Sequence, residues 1–215
     1  MKDAEAFIRR HTEILAPPAV PEIRLHLASE ITPLWHATEK FLQESNLPPP
    51  YWAFPWVGGQ ALARHLLDHP DLVQDREVLD FASGCGIVAL AAIKAGALSV
   101  AASEIDPMAL AAIALNAGAN RLSPPFQQGD VLQREDCPWQ VVLAGDVCYE
   151  RPMAERAVAW LRHCAAQGAL VLLADPGRAY LPKTGLMQLD SITVPCSLEL
   201  EDRTSREVGI FQIVG

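Results

Sequence analysis

The chain has 215 residues, half of them hydrophobic and a fifth charged, enough for one α/β domain with a large core and a modest extension. A formal net charge of −9 excludes broad binding to a phosphate backbone, which needs a basic surface, so no nucleic-acid partner is expected. The acidity suits a basic partner such as a lysine-bearing protein, and equally a surface that only keeps the protein soluble.

In chain order, residues 3–14 read as a short amphipathic helix, with Phe7, Ile8 and Ile14 apolar and Arg9, Arg10 and Glu13 polar. The proline-rich stretch 16–21 breaks that helix and is expected to be extended. A second helix is expected over 34–44. Residues 1–57 thus form an N-terminal helical and aromatic extension, either a lid or recognition layer or a plain stabilising cap. The domain proper would span 58–215. Residues 47–60 carry three consecutive prolines and four aromatics, Tyr51, Trp52, Phe54 and Trp56. A stiff extended strip of this kind can wall off a cation or an adenine ring, with Trp52 or Trp56 in contact. Core filling by the alternate positions Trp52, Phe54 and Trp56 is the competing use. Gly58 and Gly59 then release the chain into a helix over 60–67.

The stretch 77–107 organises the rest. A strand-length apolar run over 78–81 meets a small-residue turn, Ala82-Ser83-Gly84-Cys85-Gly86. A helix over 87–95 follows, stopped by Gly96, and a second strand over 98–103 ends in Glu104-Ile105-Asp106-Pro107. Strand, glycine turn, helix, strand and acid is the sequence form of a nucleotide-binding βαβ unit. Gly84 and Gly86 let the backbone turn tightly and approach a ligand, and Glu104 is placed to accept two hydrogen bonds from a ribose diol. The run from Gly84 to Ala89 also satisfies a dinucleotide fingerprint, with Glu104 lying 18 residues beyond Gly86. Asp80, four residues before the first glycine, would repel a pyrophosphate and attract a cationic amino-acid moiety. With further acidic strand ends downstream and no second large domain for hydride transfer, S-adenosyl-L-methionine is favoured over NAD.

A helix over 107–117 and a strand over 126–128 lead to Asp130, which could accept the adenine amino hydrogens or merely cap a turn. The apolar run 140–145 reads as a strand buried on both faces and ends in Asp146, the preferred catalytic position because ligands bind outside the carboxyl ends of such strands. A helix over 152–164, a strand over 169–174 and an antiparallel terminal hairpin of 189–194 with 207–214 complete the chain. Five βα units closed by a hairpin make an α/β, Rossmann-like, seven-stranded and mostly parallel sheet. The five cysteines lack CxxC spacing and read as core residues of a reducing compartment. His65 and His69 share helical i,i+4 spacing but lack a nearby carboxylate or cysteine, so no metal is expected. Neither a transmembrane-length apolar run nor a signal-peptide pattern is seen; a cytoplasmic, monomeric protein without membrane contact is the default.

PPPYWAFPWVGGQALARHLLDHP, VLDFASGCGIVALAAIKAGA, SEIDPMALAAIALNA, VVLAGDVCYE and LLADPGR together resemble the lysine methyltransferases that modify the β subunit of electron-transfer flavoprotein. The resemblance covers roughly residues 48–178. It implies a class I S-adenosyl-L-methionine-dependent methyltransferase whose partner is that β subunit. Carried over by position, it implies cofactor contacts at Asp80, Ser83, Gly84 and Gly86, ribose binding by Glu104, adenine approach by Asp130, and Trp56 along the methionine end. Asp146 and Tyr149 would face the target amine, and Glu150 stands where the family often has aspartate.

Overall fold

The computed structural model describes residues 2–28, 49–197 and 201–214; the helix expected over 34–44 lies outside these residues. Short runs without helical period became strands, the inner ones mostly apolar: β3 (Glu77–Phe81), β4 (Ser99–Ser103), the polar edge strand β5 (Phe126–Gln128), β6 (Val141–Gly145) and β7 (Leu170–Asp175). They join β8 (Leu186–Pro195) and β9 (Ser205–Ile213) in one seven-stranded sheet of order β5-β4-β3-β6-β7-β9-β8. The first five strands are mutually parallel, whereas β9 runs antiparallel to both β7 and β8. This is the expected α/β class with its antiparallel terminal hairpin. Every residue of β6 from Val141 to Ala144 is fully buried, which is why that strand reads as continuous apolar sequence.

Helices cover both faces. On one, α2 (Val57–Asp68) and α3 (Ile87–Lys94) pack through Leu62, Leu66, Val88 and Leu90. On the other, Trp160 and Leu161 of α5 (Arg151–Ala166) pack on Leu79, Phe81 and Val142. The remaining helix, α4 (Pro107–Ala119), starts as its sequence dictates: Asp106 accepts the Met108 N–H at 2.8 Å, and Pro107 takes the first helical position. Chain order reverses between β3 and β6, so a crevice opens at their carboxyl ends.

Three local expectations are corrected. The first helix, α1 (Lys2–His11), stops before Thr12, whose hydroxyl donates to the Ile8 carbonyl at 2.6 Å. Ile14 lies instead in β1 (Glu13–Leu15), paired with β2 (Leu25–Leu27). The proline stretch is a pair of turns and not extended: Val20 N–H donates to Pro17 O and Ile23 N–H to Val20 O, which drives both side chains into the core. Pro18 presets the φ that the first turn needs. Residues 51–53 form a 3₁₀ turn where an extended strip was expected. The three-residue turn sends Trp52 (2% exposed) into a cluster with Ile8, Ala109 and Leu115, so core filling wins at that position.

Candidate active site

The crevice has two rims. At the carboxyl end of β3 the chain enters the turn with Ala82, Gly84 and Gly86 all at positive φ (54°, 53° and 77°). A Cβ on Gly86 would sit 3.0 Å from Ile113 Cγ1 of α4, whereas one on Gly84 would meet nothing within 4 Å. Gly86 is therefore constrained by packing, and Gly84 leaves backbone open to a ligand. Ser83 holds the turn shape, its N–H donating to Ser103 O and its hydroxyl to Asp80 O.

Asp80 is 2% exposed and accepts the Ala89 N–H at 3.0 Å, which makes it a cap for the first turn of α3 from inside the strand. Burial pushes its carboxyl up to about 7, and the hydrogen bonds from Ala89 and Ser83 only partly oppose that. Glu104 follows β4 on the same rim. Its Oε2 accepts the Gly84 N–H at 3.0 Å, and its Oε1 accepts those of Ile105 (2.7 Å) and Asp106 (3.1 Å). Burial raises its pKa against those three donors. Ile105, 75% exposed beside this carboxylate, offers an apolar face to a flat ring. The sequence reading passed over it, although an apolar residue directly after a strand-end acid is the signal. Ser103 ties β4 to the next loop by donating to Gly129 O, and Asp130 stands there half-exposed. Its Oδ1 accepts the Leu132 N–H at 2.9 Å, a turn-capping bond, and its Oδ2 lies 3.7 Å from Arg156.

The second rim belongs to β6 and β7. Asp146 follows β6 at a φ of 59°, its side chain 12% exposed. Oδ2 accepts the Gly59 N–H at 2.8 Å, and Oδ1 accepts from Nη1 of Arg178. Burial raises its pKa, while the Arg178 charge and the α2 N–H groups hold it down. Here the glycine pair is relocated: Gly58 and Gly59 lie inside the first turn of α2, which begins at Val57 rather than at Gln60. The reason is close approach. A Cβ on Gly58 would fall 2.5 Å from Asp146 Oδ2 and 2.8 Å from Ala174 O. Helix α2 has no side-chain cap of its own, so a carboxylate 87 residues away serves as one.

Arg178 also faces Asp175 at 3.7 Å and Glu201 at 3.4 Å, and Glu201 reaches Arg206 at 3.2 Å. Three carboxylates and two guanidinium groups thus line or underlie a cavity of about 310 Å³ whose wall includes Tyr149, Arg178, Glu201 and Arg206. Tyr149 stacks toward Tyr51 (5.7 Å between ring centroids), and Tyr51 toward Trp56 (5.9 Å), whose Nε1 donates to Tyr51 O. Burial raises both phenols, so both stay neutral at ordinary pH. Tyr51 was not singled out from sequence; the 3₁₀ turn that buries Trp52 turns Tyr51 outward. Burial also pushes the thiols of Cys85 and Cys148 up to about 12, which makes them poor nucleophiles.

The fold brings Asp80, Ser83, Gly84, Gly86 and Glu104 together on the first rim, with Asp130 on the neighbouring loop. It puts Asp146, Tyr149 and Trp56 on the second. The rims share a wall, because Gly59 of α2 packs against Ile87 of α3 (a Cβ there would meet Ile87 Cγ2 at 3.2 Å). Arg178, Glu201 and Arg206 were missed as site residues. LADPGR was visible, but nothing local in it says that the arginine turns back to Asp146.

Comparison with known proteins places this geometry. The family model described as ribosomal protein L11 methyltransferase matches residues 61–147. An electron transfer flavoprotein beta subunit lysine methyltransferase of Xenopus laevis is 42% identical over 179 residues, covering 81% of this chain and 70% of that protein. The protein of the same description from Homo sapiens is 40% identical, covering 82% of this chain and 67% of its own length. Among solved structures, magnesium protoporphyrin IX methyltransferase from Synechocystis PCC 6803 with bound SAM aligns with a TM-score of 0.52 at 17% identity, over 71% of this chain and 77% of that one.

Proposed function

This chain belongs to the family of electron transfer flavoprotein β-subunit lysine methyltransferases, and from that membership and the crevice we propose that it methylates lysine side chains of the electron-transfer flavoprotein β subunit, with S-adenosyl-L-methionine as donor. The observation that carries the reading is the pairing of rims. A glycine turn clamped to a strand-end acid stands beside a second rim where Asp146 meets Arg178 and the rings of Tyr51, Trp56 and Tyr149 cluster, with α2 packed on α3 between them.

The first rim fits the donor. Gly84 keeps open backbone, Glu104 keeps about one of its four lone-pair positions for a ribose hydroxyl while the Gly84, Ile105 and Asp106 N–H groups hold the rest, and Asp130 with Ile105 lies on the adenine side. Asp80 and Ser83 hold the turn, and Asp80 puts negative charge beneath it as it ionises. Trp56 lines the methionine end. When bound, the donor supplies a methyl group on a cationic sulfur, already an activated electrophile, so the protein's task is alignment and desolvation.

The acceptor must arrive neutral, because a free lysine amine has a pKa near ~10.4. The rings of Tyr51, Trp56 and Tyr149 exclude water around the entering side chain and disfavour its charge. Asp146 orients the amine. A carboxylate has about four lone-pair positions, and Gly59 and Arg178 occupy two here. Since a nearby carboxylate also stabilises an ammonium, Asp146 is assigned to positioning, with the proton leaving to water. The same reading takes the protein as a cytoplasmic monomer acting on a folded protein. No helix among the described residues is long and apolar enough to cross a membrane.

The test is reaction of the purified protein with S-adenosyl-L-methionine and purified electron-transfer flavoprotein, followed by peptide mass spectrometry. Whole methyl-group additions on β-subunit lysines are expected. An unmodified β subunit alongside a methylated ribosomal protein in lysate would overturn the substrate assignment and favour the relationship that the L11 family model suggests.

A further inference from the structure

Toward the C-terminal end of α2, away from Asp146, His65 and His69 stand one helical turn apart, and the fold brings Asp190 of β8 up to them. Sequence reading expected no carboxylate partner for this pair; it arrives from 125 residues away. We propose that His65, His69 and Asp190 form a binding site for a zinc-class divalent transition-metal ion that clamps strand β8 to helix α2.

Each of the three side chains offers one donor atom, and the three donors lie within 4.8 Å of one another. Two imidazoles and one carboxylate are the ligand types that zinc takes in sites with three protein ligands and a water. The parts are already oriented. His65 Nδ1 lies 3.1 Å from Asp190 Oδ2, and the other carboxylate oxygen, Oδ1, is held by the Ser191 N–H at 2.8 Å. A register shift between Gln188 and Asp190 in the pairing of β8 with β9 marks a bulge at this point, a feature that re-aims side chains. His69 sits just past the helix end, yet its N–H still donates to His65 O at 2.9 Å, so the i,i+4 spacing is kept. The two rings are 4.6 Å apart and tilted by 51°. His65 is 6% exposed, so packing fixes its ring beside Asp190.

The ion takes the place between His65 Nδ1 and Asp190 Oδ2, with the ring's single proton then on Nε2, and an inward turn of the exposed His69 ring closes the shell to about 2.0–2.1 Å per nitrogen. Asp68, on the same turn, is not a competitor, because Arg64 holds both of its oxygens. Strand β8 is the edge of the sheet, and Asp146 caps the other end of α2. The clamp therefore secures an edge strand and the helix that builds the second rim.

Chelator-treated protein titrated with zinc chloride, followed by calorimetry and thermal unfolding, tests this. One ion per chain is expected, with the melting temperature rising by roughly 5–10 °C at a hundredfold excess over Kd. His69→Ala and Asp190→Asn, both at exposed or half-exposed positions, should each weaken binding by about tenfold or more while the protein stays folded. Cobalt in place of zinc should give four-coordinate visible bands without thiolate-to-metal absorption. Absence of saturable binding overturns the site. So does binding that survives both substitutions, or a thiolate band, since the ion would then sit on the cysteines.

Discussion

The two rims of the crevice hold their acids by opposite means. Glu104 is held by three backbone N–H groups, all within 20 residues of it along the chain. Asp146 is held by a guanidinium 32 residues away and by the start of a helix 87 residues away, and its arginine is shared with Asp175 and Glu201. The first rim is a local structure that forms with its βαβ unit. The second exists only when α2, β6, β7 and the β8–β9 turn are all docked. A donor site common to many chemistries can be self-contained, whereas an acceptor site can be respecified by changing remote segments.

Gly58→Ala should separate the rims most sharply. Its Cβ would press on the Asp146 carboxylate at 2.5 Å and on the Ala174 carbonyl at 2.8 Å, neither of which can give way cheaply. Displacing Asp146 by a fraction of an ångström to an ångström should lower methyl transfer on the order of 100-fold. Stability should fall by about 1–3 kcal/mol, while S-adenosylhomocysteine binding measured by calorimetry should change less than about threefold. Equal losses in transfer and cofactor binding would show that the rims are one unit.

Asp80→Asn probes the first rim through pH. The carboxyl titrates near 7 in the folded protein because of burial, against an ordinary value of 3.8. Between those values the native state binds more protons than the unfolded one, so this group's contribution is present at low pH and lost as pH rises. From about pH 5 to about pH 8 the loss amounts to roughly 2–3 kcal/mol. Asparagine can still accept the Ala89 N–H and does not titrate, so thermal melts of the variant should lack this part of the slope. A variant with the wild-type slope would mean that Asp80 stays ionised throughout.

The same contrast governs what sequence could reveal. Gly84, Gly86 and Glu104 were legible because every constraint on them lies inside one βαβ unit, where turn chemistry and strand length speak locally. The parallel strands and the terminal hairpin were legible for the same reason, from unbroken apolar runs and the lack of helical period between the last two. Asp146 was legible as a position, but its partner Arg178 was not, since the contact depends on the path of the loop after β7. Trp52 and Tyr51 exchanged expected roles because proline-rich sequence is compatible with both an extended strip and a 3₁₀ turn. Only packing against Ile8 and Leu115 decides between them. Asp190 could not be joined to His65 and His69 without knowing which strand becomes the sheet edge.

Glu104→Gln tests whether the local rim holds the donor through charge. The amide has one acceptor oxygen, so either the Gly84 N–H or the pair from Ile105 and Asp106 loses its partner, and the charge beside the ribose is removed; S-adenosylhomocysteine should bind roughly tenfold more weakly. The N–H groups left without an acceptor should also lower the melting temperature by a few degrees. Unchanged affinity would move the ribose away from β4.

The smallest effect is expected at Asp130, and it decides how far the local rim extends. Its Oδ1 already accepts the Leu132 N–H, which is sufficient reason for an aspartate in that turn. Asparagine keeps this bond through its one carbonyl oxygen and replaces the acceptor that faces outward with a donor. If the outward oxygen receives the adenine amino hydrogens, Asp130→Asn should weaken cofactor binding by about two- to fivefold without changing the melting temperature. The loss should disappear for a donor analogue lacking the amino group. Equal affinity of wild type and variant for both ligands would assign Asp130 to the turn alone and end the first rim at Glu104 and Ile105.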